Sequence, residues 1–452
     1  MKTAVVAAVA AAALAGCAPQ SVPGTAVDSP RLDPTKVAGL AITTGDSGLK
    51  PGAPAPDRQA QNSDGGRIDQ LATAAVADVE QYWGKRFPEV FDEDFAPVGR
   101  LVSYDSRGPN QRLCGTDTAG LVNAFYCSGE QDLVAWDRGE LLPSLDDISV
   151  VAVLAHEIGH AVQFRLGVDG QTPTIVKEQQ ADCYTGNYFR WVAEGKSQRF
   201  QLSTGPGLNQ ILATLFAIRD SAGTSFDSAG AHGTAFDRVT AFQFGFAEEP
   251  KRCAEIDFAE IQRRSTQQAF GEADEDQGFG RGNIKVDDQQ ALADLRDSLA
   301  AAFPDVPVRF DASCRGTSPA AYCQGAVGVD LRALVGVSRI GDFAAFGAVA
   351  SRYALAVQDA AGLPVEGLVA GQRTACLTGL WASTIVRGKG AALELSPGDL
   401  DEAVVELLSR NSLIAGDVRG QTIPSGFARV EAFREGFLTG SADTCATRFR
   451  PT

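Results

Sequence analysis

Histidine is scarce in this chain: three residues in 452, all of them before residue 285. Any imidazole chemistry rests on His156, His160 and His232, and the stretch 285–452 has none to offer. Long apolar runs are missing too. Beyond the first sixteen residues nothing reaches the roughly 18 consecutive apolar residues of a membrane helix. Basic charge is in deficit, with 40 Lys and Arg against 56 Asp and Glu, a formal net charge of −16. That balance argues against nucleic acid as a partner and against electrostatic attachment to anionic lipid. Between residues 18 and 66 large apolar side chains are few, while Pro, Gly, Ser, Asp and Gln are frequent. This predicts a flexible tether over 17–66 in place of a domain.

What is present begins with a targeting segment over residues 1–16. Lys2 gives a small positive start, Ala4 to Leu14 is apolar, and the run ends in Leu14-Ala15-Gly16-Cys17. Small residues before a cysteine resemble a bacterial lipobox, which predicts a lipid on Cys17 and a protein anchored outside the cytoplasm. An ordinary secretory signal with an incidental cysteine is the other use of the same residues.

The centre of the sequence is His156-Glu157-Ile158-Gly159-His160. On a helix, His156 and His160 are four apart and share a face, so both can bind one Zn²⁺. Glu157 beside them can take a proton from a metal-activated water. Ser144 with Asp147 reads as a capping box for this helix, and Gly167 suits the left-handed position after its last turn. A catalytic zinc takes three protein ligands. With two histidines in reach, the third is expected to be a carboxylate, and Glu178 lies on the next helix, read from Thr174 to about Ala193. Asp182, one turn on, can accept the free N–H of a ligating imidazole. Cys183 is close by, but an oxidising compartment favours a disulfide there over a thiolate ligand.

Without Cys17, eight cysteines remain, and their spacing repeats. Cys183 to Cys253 is a step of 70, and Cys376 to Cys445 a step of 69. The local sequences repeat as well: Tyr126-Cys127-Ser128-Gly129 returns as Tyr322-Cys323-Gln324-Gly325, and Arg238 to Phe246 returns as Arg429 to Phe437. This predicts one α+β unit present twice, over 67–284 and 285–452, with a linker near Gly271 to Asn283. It suggests the pairs Cys114–Cys127, Cys183–Cys253, Cys314–Cys323 and Cys376–Cys445. Alignment puts Ser351-Arg352-Tyr353-Ala354-Leu355 opposite the histidine motif, Gly371 opposite Glu178 and Ala375 opposite Asp182. The second copy therefore lacks every proposed ligand, and features confined to the first copy are the candidates for chemistry.

Residues 98–104 and 131–136 read as strands. The second, just before the metal-site helix, suits either an edge that pairs with an extended peptide or an internal strand. Thr234 and Asp237 read as a capping box for a helix through Phe246. His232 precedes it, and two roles fit: hydrogen bonding to the oxyanion of a reacting carbonyl or to the substrate, or a structural loop contact. Tyr184 is a weaker candidate for oxyanion support, core packing being its other role.

With HEIGHAVQ, KEQQADCYTGNYFRW and AHGTAFDRVTAFQFGF in order, the first copy resembles the bacterial neutral zinc metallopeptidases, and more broadly looks like a gluzincin. The resemblance covers about 95–252. It implies a mostly helical, zincin-like domain with a small sheet, holding Zn²⁺ through His156, His160 and Glu178. Glu157 is then the base, Asp182 the acid behind His156, and the activity hydrolysis of a peptide or protein substrate. Two other functions fit the same sequence: a non-catalytic cell-envelope scaffold, and a zinc amidase on wall peptides.

Overall fold

A computed structural model of the chain describes residues 32–271, 274, 278, 280–306, 309–311, 313–386 and 393–450. The targeting segment 1–16, Cys17, residues 18–31 of the expected tether and part of the expected linker lie outside them. No helix among the described residues is long and apolar enough to cross a membrane. The fold is α+β: mostly helices, with small sheets.

In the N-terminal half, helix α1 (Arg67–Phe91) buries Leu71, Ala75, Val79 and Tyr82 at helical spacing. Strands β1 (Arg100–Tyr104), β2 (Ala124–Cys127) and β3 (Leu133–Asp137) form a sheet of order β1-β3-β2, with β1 parallel and β2 antiparallel to β3. Trp136 Nε1 donates to Asp69 Oδ1 at 2.8 Å and ties the sheet to α1. The strand expected at 131–136 is thus the central one, paired on both sides. The free edge belongs to β2, a four-residue strand too short to show in the sequence pattern.

Helix α2 (Asp147–Arg165) carries the histidine motif. Its cap differs from the expected Ser144: Asp146 accepts from Ser149 N, while Ser144 belongs to a short 3-10 turn and turns its hydroxyl back to Leu141 O. The aspartate two residues closer takes the role because its backbone is already extended before the helix. Helix α3 (Thr174–Ala193) follows, then α4 (Pro206–Ala217) and α5 (Ala235–Ala247), the last capped by Thr234 as expected. Two glycines set the α3–α5 crossing. A Cβ on Gly186 would stand 2.1 Å from Phe242 O, and one on Gly245 1.7 Å from Cys183 O. Backbones this close admit no larger residue.

The C-terminal half runs through α6 (Gln289–Ala302), β4 (Arg309–Phe310), β5 (Ala320–Cys323), β6 (Ala326–Val329), α7 (Asp342–Ala360), α8 (Leu368–Val386), α9 (Asp399–Leu408) and α10 (Gly426–Thr439). Its sheet has order β4-β6-β5, with β4 parallel and β5 antiparallel to β6. Gly379 and Gly436 make the α8–α10 crossing, where added Cβ atoms would lie 2.0 Å from Phe433 O and 1.7 Å from Cys376 O.

The halves share one core, with Phe236 against Phe433 and Phe437 and Phe246 against Phe427. Each also caps a helix of the other. Phe236 N, at the start of α5, donates to Asp401 Oδ1 of α9 at 3.2 Å, and Gly426 N, at the start of α10, donates to Asn209 Oδ1 of α4 at 2.9 Å. Disulfides join Cys114–Cys127, Cys183–Cys253, Cys314–Cys323 and Cys376–Cys445.

Residues 32–66 do not behave as the expected tether. Gly48–Leu49 pairs with Phe200–Gln201, Thr43 N donates to Thr204 Oγ1 at 2.8 Å, and Lys50 Nζ donates to Ser197 O at 2.6 Å. Polar composition misled here because a few apolar residues, Val37 buried in the core and Leu40 and Ile42 packed against it, suffice alongside these backbone and hydroxyl bonds.

Candidate metal centre

α2 and α3 can bring their polar groups together because Gly159 lies against α3, where a Cβ would stand 2.9 Å from Ala181 Cα. The close approach places His156, His160 and Glu178 so that one donor atom from each lies within 4.8 Å of the others. His156 Nε2 is 3.0 Å from Glu178 Oε2, and His160 Nε2 is 3.5 Å from Glu178 Oε1. The two imidazoles are perpendicular, at 87°. These separations bracket the edge of about 3.3 Å that follows from tetrahedral zinc bonds of ~2.0–2.1 Å. The donor set, two neutral-capable nitrogens and one carboxylate, also suits zinc.

Both imidazoles are held from behind. His156 Nδ1–H donates to Asp182 Oδ1 at 2.9 Å, and His160 Nδ1–H donates to Gln163 Oε1 at 2.9 Å. Gln163 is itself fixed by donation to Lys177 O and Gln180 Oε1. These bonds place the protons on Nδ1 and leave Nε2 facing Glu178. Asp182 is completely buried and also receives two donors from Arg238 of α5.

The electrostatics match a cation site. Burial opposes charge on His156, yet the Asp182 and Glu178 carboxylates hold its pKa up, at about 10. Burial also opposes ionisation of Glu178, and the two imidazoles outweigh it and keep the carboxyl well below its usual range. Glu157 differs: burial pushes it up to about 7, against the pull of His156. With both imidazoles neutral, as ligands must be, the three carboxylates and one guanidinium that meet here carry a net two negative charges when ionised, the complement of a divalent cation.

A cleft of about 260 Å³ reaches the group, lined in part by Tyr126, Ser128, His160, Phe164 and Glu178. Arg165, in the last turn of α2, donates to Tyr126 Oη at 2.9 Å and to both oxygens of Asp132 at 3.0 Å, which pins the β2–β3 hairpin to the metal helix. The β2 edge therefore borders the cleft.

The remaining expected residues separate from this group. His232 is half exposed, its Nδ1 3.2 Å from Asp220 Oδ1 and its N–H donating to Asp220 Oδ2. The hydrogen bond to Asp220 raises its pKa, with Glu178 contributing at longer range. Tyr184 is a core residue, edge-on to Trp83 at 5.4 Å. Three partners were not expected: Gln163, Asp220 and Arg238. Arg238 gave a signal, a cation inside an otherwise apolar helical face, but Arg429 at the matching position marked it as scaffold.

The family described as "Putative neutral zinc metallopeptidase" matches residues 31–256. Two proteins of Escherichia coli, both called Uncharacterized protein YpfJ, one from strain K12 and one from O6:H1, are each 28% identical over 236 residues. The alignment covers 46% of this chain and 79% of each of them. No solved structure matches. Half of the chain, including every residue of the metal group, falls inside the family match, and the chain belongs to this family.

Proposed function

We propose that the chain is a zinc-dependent peptidase with one working site, held by His156, His160 and Glu178. The observation that carries this reading is the convergence of those three donors beside Glu157, at the end of a cleft bordered by an unpaired strand edge. Zinc at these ligands supplies Lewis acidity toward a carbonyl and toward water. Glu157, buried beside His156, takes the proton of the attacking water and returns it to the leaving nitrogen. Asp182 and Gln163 keep both Nε2 atoms turned to the site throughout. The edge of β2 gives an extended peptide main-chain partners, so the substrate lies across the cleft as an added strand. His232, held by Asp220 outside the three-donor group, is the candidate for a hydrogen bond to the substrate or its oxyanion.

The two halves descend from one duplicated zincin-like unit. Matching sheet orders, matching glycine crossings and matching disulfides support this. In the C-terminal half the site is erased: Arg352, opposite Glu157, donates its guanidinium to the carbonyls of Leu413, Gly416 and Asp417. The Leu14-Ala15-Gly16-Cys17 segment supports lipid attachment at Cys17 and a position outside the cytoplasm, where four disulfides are stable.

The test compares the parent chain with Glu157→Gln and His156→Ala. Zinc content by atomic absorption should be one per chain for the parent and for Glu157→Gln, and near zero for His156→Ala. Peptide hydrolysis should be lost in both variants. Hydrolysis undiminished in Glu157→Gln would remove the proposed base.

A further inference from the structure

Away from the zinc ligands, a second group of acidic side chains has the arrangement of a ligand set. Asp342, the first residue of α7, meets Asp399 and Glu402 from the first turn of α9, and each offers a carboxylate oxygen within 4.8 Å of the others. Asp342 and Asp399 are each only 6% exposed. One oxygen of each carboxylate has a main-chain donor. Asp342 Oδ2 accepts from Ile284 N at 2.9 Å, Asp399 Oδ2 from Ser396 N at 2.8 Å, and Glu402 Oε2 from Phe343 N at 2.9 Å. The other oxygens are not used in these bonds, and Asp342 Oδ1 is buried with no hydrogen-bond partner at all.

Nothing cationic balances them among the described residues. The nearby guanidinium of Arg219 is taken by Asp401, at 2.9 Å. Asp274, held by Ser396 Oγ at 2.9 Å, adds a further negative charge beside Asp399. Buried carboxylates without a counter-charge hold protons or a cation. Burial pushes Asp342 up to about 6, and burial together with the neighbouring Asp342 pushes Glu402 up to about 9. The backbone is shaped to admit the third ligand. Gly341 has φ +154°, and a Cβ there would overlap the Glu402 carboxyl, 1.7 Å from its carbon. The matching position in the N-terminal half shows the ordinary alternative. Asp147, first in α2, is half-exposed and pairs with Arg67 at 2.6 Å.

We propose that Asp342, Asp399 and Glu402 bind a hard divalent cation, calcium by preference, at the α7–α9 junction. An all-oxygen, all-carboxylate donor set without imidazole or thiolate selects against zinc. A buried group of three carboxylates suits the larger, more adaptable calcium better than magnesium, which demands near-ideal octahedral geometry and retains several waters. The cation fixes the start of α9. Asp401 on that same turn caps α5, the helix that carries Arg238, so calcium braces the half that holds the zinc ligands.

The test uses the full chain, freed of calcium with a selective chelator and then saturated with zinc. Equilibrium dialysis against radioactive calcium should show one ion per chain, with magnesium competing at least tenfold more weakly. The double variant Asp342→Asn, Asp399→Asn should lose that ion while its calcium-free melting temperature equals or exceeds the parent's, because the repulsion is gone. His156→Ala should keep the ion, which separates this site from the zinc site. No bound calcium in the parent, or undiminished binding in the double variant, overturns the proposal. Should the double variant fail to fold, Glu402→Gln decides in the same way, by at least a tenfold loss of affinity or none.

Discussion

Arg238 grips Asp182 with two nitrogens, Nε on Oδ2 and Nη2 on Oδ1, both at 2.9 Å, and that same Oδ1 receives the His156 Nδ1 proton. The guanidinium is therefore two bonds removed from the metal group and sets its geometry from α5. Both partners are almost fully buried, at 2% and 0% exposure. Removing one leaves the other as an unpaired buried charge, which costs roughly 3–5 kcal/mol. Arg238→Met should destabilise the fold by that order in urea unfolding. Arg238→Lys should retain the fold better but, lacking the planar fork, should weaken zinc binding by roughly 10–100-fold in chelator competition. Unchanged zinc affinity in Arg238→Lys would show that Asp182 needs no fork to orient His156.

The glycine crossings make a paired prediction. Gly245→Ala drives a methyl group into Cys183 O, and Gly436→Ala does the same at Cys376 O. Neither neighbour is a side chain that can swing away, so the helices must separate. Each substitution should cost at least about 3 kcal/mol, at or above the upper end of ordinary overpacking. Since the halves share a core, Gly436→Ala should lower one common melting transition and not a separate C-terminal one. A biphasic melt would contradict the shared core.

Helix periodicity was legible in the sequence, and so was the cap of α5, though not that of α2, which Asp146 supplies in place of Ser144. The bounds of α3, the Thr234 cap and the histidine face on α2 all follow from signals within a few residues. The four disulfide pairs followed from the repeating spacing. What stayed hidden depends on partners far along the chain. Arg238 finds Asp182 across 56 residues, and its repeat at Arg429 disguised it, although Arg429 bonds instead to the carbonyls of Ser409 and Ser425. Strand β2 was missed because four residues give no alternation to read. Residues 32–66 read as a tether because their few apolar anchors, Val37, Leu40 and Ile42, are scattered among polar residues, and hydrogen bonds to Ser197 and Thr204 leave no trace in composition.

The reciprocal caps should be separable by mutation. Asn209→Ala removes the acceptor of Gly426 N, and Asp401→Ala removes the acceptor of Phe236 N together with the partner of Arg219. Loss of a helix cap costs about 1 kcal/mol. Asn209→Ala should show about that loss. Asp401→Ala should lose more, because Arg219 and Phe236 are both left without it. Peptidase activity should fall more in Asp401→Ala, since α5 carries the arginine behind His156. Equal stability losses in the two variants would count against this asymmetry.

Glu80 predicts a pH dependence that lies outside the metal group. It is buried in α1, accepts from Val98 N at 2.8 Å and pairs with Arg58 at 3.2 Å. Burial nevertheless outweighs Arg58 and raises its carboxyl to about 7. An acid with a raised folded-state pKa keeps its proton in the fold while the unfolded chain releases it. Its contribution to stability is therefore complete below the unfolded value, near 4.5, and declines as pH rises through about 7. The full decline amounts to roughly 3 kcal/mol. Glu80→Gln keeps an acceptor for Val98 N and cannot ionise. Relative to that variant, the parent should lose about this much stability between pH 4.5 and pH 8 in urea unfolding, with salt making little difference to so buried a group. A difference that stays flat with pH would mean that Arg58 holds Glu80 ionised throughout.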